Sequence, residues 1–384
     1  MPVTVAHLTT VDMSLRFLVF AQLAAVRDRG GRAIGISAPG PWVPELEAAG
    51  IEHLPLSSST RSMNLTHDAR AMRELWNVLR RERIDILHTH NPKPGVYGRV
   101  LGRAAGVPIV VNTVHGLYAT EDDPVVKRTV VYALEGIAAR CSDAELFQNP
   151  EDLARMQRLH CTRRARFLGN GVDLARFDPD RIGPRVRDEV RSELDVDDEV
   201  IVVGAVGRLV AEKGYPELFE AMERLPDRFR LVVVGGGDPD KPDSLDPGML
   251  QRAREHGVRF LGHRDDVERV YAAMDVFVLA SHREGFPRAA MEASAMGLPI
   301  VATDVRGCRE VVDPGRTGTL VPRKDPAALA RALLALDDAE ARTRLGRAAH
   351  RRARDHFDER HVVDTVLATY REVARRKGLD LDGL

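Results

Sequence analysis

Short apolar runs that stop at a glycine or a polar residue, each followed by a helix-length segment, recur along this chain and restrict it to a layered α/β fold. Val3 to Leu8, Ala33 to Ser37, Ile84 to Leu87, Ile109 to Thr113 and Asp143 to Phe147 form one series. Ile201 to Arg208, Leu231 to Val234, Met274 to Ala280 and Leu298 to Ala302 form a second. Runs this short and this rich in β-branched residues suit strands buried on both faces, and their alternation with helices predicts parallel sheets. A chain of 384 residues is longer than one hydrophobic core usually serves, so two such domains are expected.

The chemistry concentrates between Ser281 and Glu310. Ser281-His282-Arg283-Glu284-Gly285-Phe286-Pro287 forms the loop at the carboxyl end of the strand 274–280. A helix is predicted from Pro287 to Met296, with Gly297 as its stop. Ligands of open parallel sheets bind outside the carboxyl ends of the strands. A helix start there offers N–H groups and a positive partial charge to a phosphate. Glu284 in the loop and Glu292 on the helix accept hydrogen bonds from hydroxyls, such as those of a sugar and a ribose. Spacing alone fits equally a turn cap and a solvated helix residue. The helix start together with two hydroxyl acceptors suggests a nucleotide sugar.

Other strand ends carry candidates. Arg208 closes the strand 201–208, and Lys213 lies in the loop before a helix from about Tyr215. Arg208 can bind two phosphate oxygens at once and Lys213 adds a point charge; the alternative is a pair of solvated surface cations. Gly235-Gly236-Gly237 is not G-x-G-x-x-G and no helix follows promptly, which argues against a nicotinamide site. Phe260-Leu261-Gly262-His263 is a further strand end. His115 closes the strand 109–113, placed either to meet a ligand or to be a hydrogen-bonded buried residue. His88 and His90 follow the strand 84–87 without an acidic partner and read as polar residues of a cleft wall rather than metal ligands. Asp178/Asp180, Asp195/Asp197 and Asp238/Asp240 have D-x-D spacing, but none ends a clear strand; they read as loop and capping residues.

Glu284 and Glu292, with seven residues between them, sit in the context Glu284-Gly285-Phe286-Pro287, Glu292-Ala293 and Gly297-Leu298-Pro299-Ile300-Val301-Ala302. This resembles the E-x7-E signature of retaining GT-B glycosyltransferases of family 4, and the resemblance covers nearly the full chain. Gly207-Arg208-Leu209 with Lys213-Gly214 resembles the family's G-R-L-x-x-x-K-G segment, and Asn170-Gly171-Val172-Asp173 its crossing between domains. Arg306-Gly307 stands where many members have two glycines, a form similar to bacterial capsule and exopolysaccharide enzymes. Asp12-Met13 replaces a common glycine pair in the first loop.

The resemblance implies an α/β GT-B fold of two Rossmann-like domains whose parallel sheets face a cleft. Residues 1–172 would form the acceptor-side domain and 173–358 the nucleotide-sugar domain, with 359–384 returning as a helix to pack on the first. It implies metal-independent, cofactor-free retaining transfer from a nucleoside diphosphate sugar, UDP being the commonest in the family. The acceptor would be a glycan, a lipid-linked molecule or a small molecule. Arg208, Lys213 and the helix start at Phe286 and Pro287 would hold the diphosphate, with Gly207, Gly236, Gly262 and Gly285 completing the nucleotide site. Glu292 would hold the ribose, Glu284 the sugar hydroxyls, and His115 the sugar from the first domain. Alternative readings are a nucleotide-sugar epimerase on the same fold and a non-catalytic glycan-binding subunit.

Composition narrows the partners. A net charge of −1 excludes a general nucleic-acid binder. Cys141, Cys161 and Cys308 form no C-x-x-C pair, which suits a reducing, cytoplasmic setting without disulfides or zinc. The first eight residues read as a strand rather than a signal peptide, and no apolar run is long enough to span a membrane. Residues 1–170 hold 21 Lys and Arg against 17 Asp and Glu, whereas the remainder is acidic. The first domain therefore suits peripheral contact with the anionic inner face of a membrane.

Overall fold

The computed structural model describes residues 2–90, 92–119, 123–159, 164–237 and 243–381. The chain divides into two units, Met1–Gly169 with Arg360–Leu384, and Asn170–Glu359. The first holds β1 (Thr4–Val11), β2 (Arg32–Ala38), β3 (Glu52–Pro55), β4 (Ile86–His90), β5 (Ile109–Val114), β6 (Ala144–Phe147) and β7 (Ala165–Phe167). They form one parallel sheet in the order β3-β2-β1-β4-β5-β6-β7. The second holds β8 (Ile201–Val206), β9 (Phe229–Val234), β10 (Arg259–Phe260), β11 (Val276–Leu279), β12 (Ile300–Thr303) and β13 (Gly318–Val321), parallel in the order β10-β9-β8-β11-β12-β13. Strand order reverses between β1 and β4 and again between β8 and β11. At such a reversal the flanking connections leave in opposite directions, and a crevice opens at the carboxyl ends.

The central strands are the apolar runs of the sequence, and their side chains fill cores on both faces of each sheet. The edge strands β3 and β13 are short and only partly buried, so no long apolar run marks them in the sequence. Two elements near the first reversal differ from expectation. β1 runs on to Val11 and passes directly into helix at Asp12, where the sequence suggests a loop; Leu15–Val19 is π-helical before the α-helix Phe20–Asp28. The Asp12 carboxylate explains the early start. It is buried and accepts from the Met13 and Trp42 backbone N–H groups, both at 2.8 Å. β4 likewise continues through His88 to His90 instead of ending at Leu87.

The final helix, Glu359–Lys377, supplies Val362, Val366, Leu367, Tyr370 and Val373 to the core of the first unit, beside Leu23, Ile86, Val111 and Leu146. Arg166 pairs with Glu372, and Lys377 with Asp143, both at 2.8 Å. A second internal feature shapes the helix Val125–Ala139. Its Glu135 turns inward to Arg99, a fully buried arginine that also donates to Glu145. Buried charge needs such pairing. The polar side of this helix therefore faces in, and Val126, Val130, Leu134 and Ile137 face solvent.

Candidate active site

The loops that leave the carboxyl ends of the second sheet are joined edge to edge. Gly207 N–H donates to Val234 O at 2.9 Å, Leu209 N–H to Gly236 O at 2.9 Å, and Gly235 N–H to Gly262 O at 2.7 Å. Gly207, Gly236 and Gly262 thus come from three adjacent strand ends and form one backbone surface beside the reversal. Across it, the 3-10 turn Ala211–Lys213 presses on the end of β11. Gly214 permits this: its φ is +72°, and a Cβ there would lie 2.0 Å from Ala280 O. His282 N–H donates to Glu212 O at 2.8 Å and holds the two loops together.

This packing places Lys213 Nζ 2.6 Å from Glu284 Oε1, which also accepts from Ser281 Oγ at 2.7 Å. Arg208 lies half-buried at the end of β8. The loop carrying Glu284 is backed by Gly307, where a Cβ would come within 2.7 Å of Gly285 O. The Arg306–Val311 helix can pack on the Glu284–Gly285 backbone only because that position lacks a side chain.

The next helix is Arg288–Ala295, with Pro287 as its N-cap and Met296 as its C-cap, one residue shorter at each end than expected. Phe286 and Pro287 precede its open N–H groups, and Asn170 Nδ2 donates to Phe286 O at 3.2 Å. Glu292 is not a solvated helix residue. It is buried, accepting from Tyr271 Oη on Oε2 and from Arg288 Nε on Oε1, both at 3.1 Å. Burial, reinforced by the Glu292 charge, pushes the Tyr271 phenol far above its ordinary range and keeps it a donor.

Arg208, Lys213, Glu284, Gly285 and the helix start thus meet at the carboxyl edge between β8 and β11. Ser281, Tyr271, Arg288 and Gly307 support them; of these the sequence marked only Gly307, in the Arg306-Gly307 pair, and without a role at the site. Ser281 and Arg288 lie inside the motif and were legible as neighbours. Tyr271 comes from a different helix, and only the fold brings it to Glu292. Asp178 and Asp197 accept from nearby backbone N–H groups, as capping residues do. Asp238, Asp240 and Cys161 lie outside the described residues. Cys308 is buried, which pushes its thiol up.

In the first unit His115 follows β5. Its Nδ1 is 3.1 Å from Gln148 Oε1 and its Nε2 is 3.0 Å from His90 Nδ1. Desolvation lowers its pKa to about 4, against the opposing effect of its hydrogen bond to Gln148. His88 and His90 do not line a cleft wall. Both are fully buried within β4, beneath Tyr370 of the final helix. His7 on β1 stands in register with His88, and His7, His88 and His90 have potential ligand atoms within 4.8 Å of one another. Two-residue spacing could place His88 and His90 on one face; only the strand pairing adds His7.

Two wholly parallel sheets, each with a reversal of strand order, and a cation–carboxylate cluster at one reversal are features of the GT-B fold. Residues 200–338 match the family described as Glycosyl transferases group 1, and residues 16–171 that described as Glycosyl transferase 4-like domain. The chain belongs to this glycosyltransferase family. It is 31% identical over 289 residues to the UDP-Gal:alpha-D-GlcNAc-diphosphoundecaprenol alpha-1,3-galactosyltransferase of Escherichia coli, covering 72% of this chain and 73% of that one. It is 25% identical to the capsular polysaccharide biosynthesis glycosyltransferase CapM of Staphylococcus aureus, over 95% and 96% of the two chains. Among solved structures, Anabaena Alr3699/HepE in complex with UDP and glucose shares the fold at a TM-score of 0.81 and 21% identity, covering 96% of this chain and 99% of that one. Sucrose-phosphate synthase from Thermosynechococcus elongatus does so at 0.83 and 22%, over 97% and 100%.

Proposed function

We propose that this glycosyltransferase moves a sugar from a UDP-sugar to a lipid-linked glycan acceptor, with retention of configuration and without a metal. The observation that carries this reading is the meeting of Arg208, Lys213 and the helix start Arg288–Ala295 at the sheet reversal, with Glu284 2.6 Å from Lys213. In the reaction the bond from the sugar's anomeric carbon to the diphosphate oxygen breaks, and a bond to the acceptor oxygen forms on the same face. The acceptor proton passes to the departing phosphate oxygen. Negative charge grows on the diphosphate, and fixed cations and helix N–H groups stabilise it where it appears. Lys213 has three N–H donors; one holds Glu284 and the others remain for phosphate oxygens, which couples the sugar end of the site to the leaving group.

The E. coli relative is named for an alpha-D-GlcNAc-diphosphoundecaprenol acceptor, and a Campylobacter jejuni relative at 25% identity carries a diphospho-undecaprenol acceptor in its name. Undecaprenol-linked acceptors suit an enzyme that docks at a bilayer. The outward apolar face of Val125–Ala139, on the unit with the basic balance, supports contact with an anionic membrane. No described helix is long and apolar enough to cross a membrane. Val126→Glu with Val130→Glu is expected to abolish flotation with phosphatidylglycerol vesicles while leaving UDP affinity unchanged. Undiminished flotation removes the membrane from this surface.

Incubation with a panel of UDP-sugars and an undecaprenyl-diphosphate-linked sugar tests the reaction. UDP release and product are expected only with acceptor, the anomeric configuration of the donor is kept, and turnover persists in EDTA. Inversion, or loss of activity in EDTA restored by magnesium or manganese, overturns the retaining, metal-free mechanism. Interconversion of UDP-sugars without acceptor points to an epimerase.

The two carboxylates separate by role. Glu292→Ala is expected to weaken UDP itself by about ten- to a hundredfold, since a carboxylate that accepts from hydroxyls contributes roughly 1.5–3 kcal/mol. Glu284→Ala is expected to spare UDP, because it frees Lys213 for phosphate, and to raise KM and lower kcat for the intact donor. Calorimetry with UDP on both variants decides; the opposite pattern exchanges the roles.

A further inference from the structure

The first unit contains a chain of side-chain hydrogen bonds that a glycosyl-transfer mechanism does not call for. Thr113 Oγ1 lies 2.7 Å from His88 Nε2, and His88 Nδ1 lies 2.6 Å from Tyr370 Oη. Tyr370 Oη is 3.3 Å from His7 Nε2, and His7 Nδ1 is 2.9 Å from His90 Nε2. His90 Nδ1 is 3.0 Å from His115 Nε2, and His115 Nδ1 is 3.1 Å from Gln148 Oε1. The series crosses β1, β4 and β5 and passes through the final helix. Every ring nitrogen of the four histidines has a partner in it, and no carboxylate takes part.

We infer that Tyr370, His7 and His90 are positioning residues that lock the tautomer and ring plane of His115 through this chain. A neutral imidazole has one N–H and one lone pair, so each ring passes on the polarity it receives. If any single ring turned alone, two hydrogens or two lone pairs would face each other in a buried site, which is costly. Two arrangements run unbroken along the series, one with all bonds pointing toward Gln148 and one with all pointing toward Thr113. A third reverses at Tyr370, whose oxygen can accept from both His88 and His7, and like the second it needs a donor at Gln148. Gln148 presents Oε1, which only accepts, and thereby selects the first. Thr113 donates to His88, His88 to Tyr370, Tyr370 to His7, His7 to His90, His90 to His115, and His115 to Gln148. All four histidines then carry their proton on Nδ1.

The neutral state this requires agrees with burial, which holds His7 at about 3 and drives His88 and His90 well below the ordinary value of 6.5. His115 has no spare ring nitrogen in this arrangement. It meets a ligand as a fixed ring and backbone surface, not as a proton acceptor.

Histidine-selective 15N correlation spectra of the full chain at neutral pH test the inference, with signals assigned by single His→Asn replacements. His7, His88, His90 and His115 are expected in the Nδ1–H form. Nε2–H or mixed forms for His7, His90 or His115 overturn it. Gln148→Glu, which also only accepts, is expected to keep the pattern. Gln148→Lys, which only donates, is expected to turn His115, His90 and His7 to Nε2–H; if that variant does not fold, the wild-type spectrum still decides. Retention of one equivalent of Zn2+ after desalting, with displaced His7, His88 and His90 signals, shows a metal site instead and also overturns the chain.

The functional arm rests on the proposed donor reading. Tyr370→Phe keeps the ring and breaks the series, and is expected to raise donor KM roughly five- to tenfold, the effect of one hydrogen bond, with Kd for UDP unchanged. An unchanged KM removes Tyr370 as a positioning residue. The tautomers are read without turnover, so their failure is distinguishable from failure of the glycosyl-transfer reading.

Discussion

Arg208→Ala is expected to lower kcat about 100- to 1000-fold, the usual consequence of removing one preorganised group from a site of growing charge. Arg208 lies two residues past the end of β8 and stands where Gly207, Gly235 and Gly262 bring the strand-end backbones together. Its guanidinium can bind two diphosphate oxygens at once, and that interaction strengthens as the sugar–phosphate bond stretches. The loss should therefore appear mainly in kcat and less in Kd for UDP. Lys213→Ala is expected to lose a similar factor for two reasons. It removes a cation from the leaving group, and it leaves Glu284, of which only a tenth of the side chain is exposed, with Ser281 but without its ion-pair partner. Lys213→Ala combined with Glu284→Ala separates these contributions, because the double variant lacks the stranded carboxylate. Steady-state kinetics with saturating acceptor provide the measurement. Turnover near wild type in Arg208→Ala would take it out of the reaction.

The first unit is expected to lose stability steeply as pH falls below about 6.5. His7, His88 and His90 are fully buried, and burial first, then repulsion from neighbouring histidines, lowers all three pKa values, that of His7 to about 3. A histidine whose folded pKa lies below its unfolded value binds fewer protons folded than unfolded. Its contribution is complete above 6.5 and is lost progressively down to the folded pKa. At pH 5 His7, with its folded value of about 3, represents about 2 kcal/mol. His88 and His90 act in the same direction, because burial disfavours their charged forms as well. Thermal unfolding from pH 7.5 to 5 should show a large fall in Tm for the transition that includes the final helix, with Tyr370 fluorescence as a local probe. A flat Tm over that interval would mean that these rings are charged or accessible.

The donor-side elements were legible because local chemistry declares them. Glu284, Pro287, Glu292 and Gly297 lie within one strand–loop–helix–strand unit, where turn residues and helix stops act over a few positions. Arg208, Lys213 and Gly214 form a second unit of the same kind. Even so, sequence left Lys213 and Glu284 as separate groups, one for phosphate and one for a sugar. Their 2.6 Å pairing depends on Gly214 lying against Ala280 O, a contact between segments far apart in the chain. Gly307 is similar: its role against the Glu284–Gly285 backbone is a packing fact, invisible as composition.

The first unit shows the same division more sharply. Apolar runs and their alternation with helices determined a parallel α/β architecture, because burial on both faces demands such runs and parallel pairing demands crossover helices. The sequence alone also determined that Glu284 and Glu292 belong to one loop–helix segment, since helical geometry is local. It did not determine what surrounds His88 and His90. Their burial follows from β4 extending to His90, from His7 facing His88 across the β1–β4 register, and from Tyr370 arriving on the final helix. Those choices lie in strand order and helix docking, where contacts between distant segments set the structure and no short window of residues carries the signal.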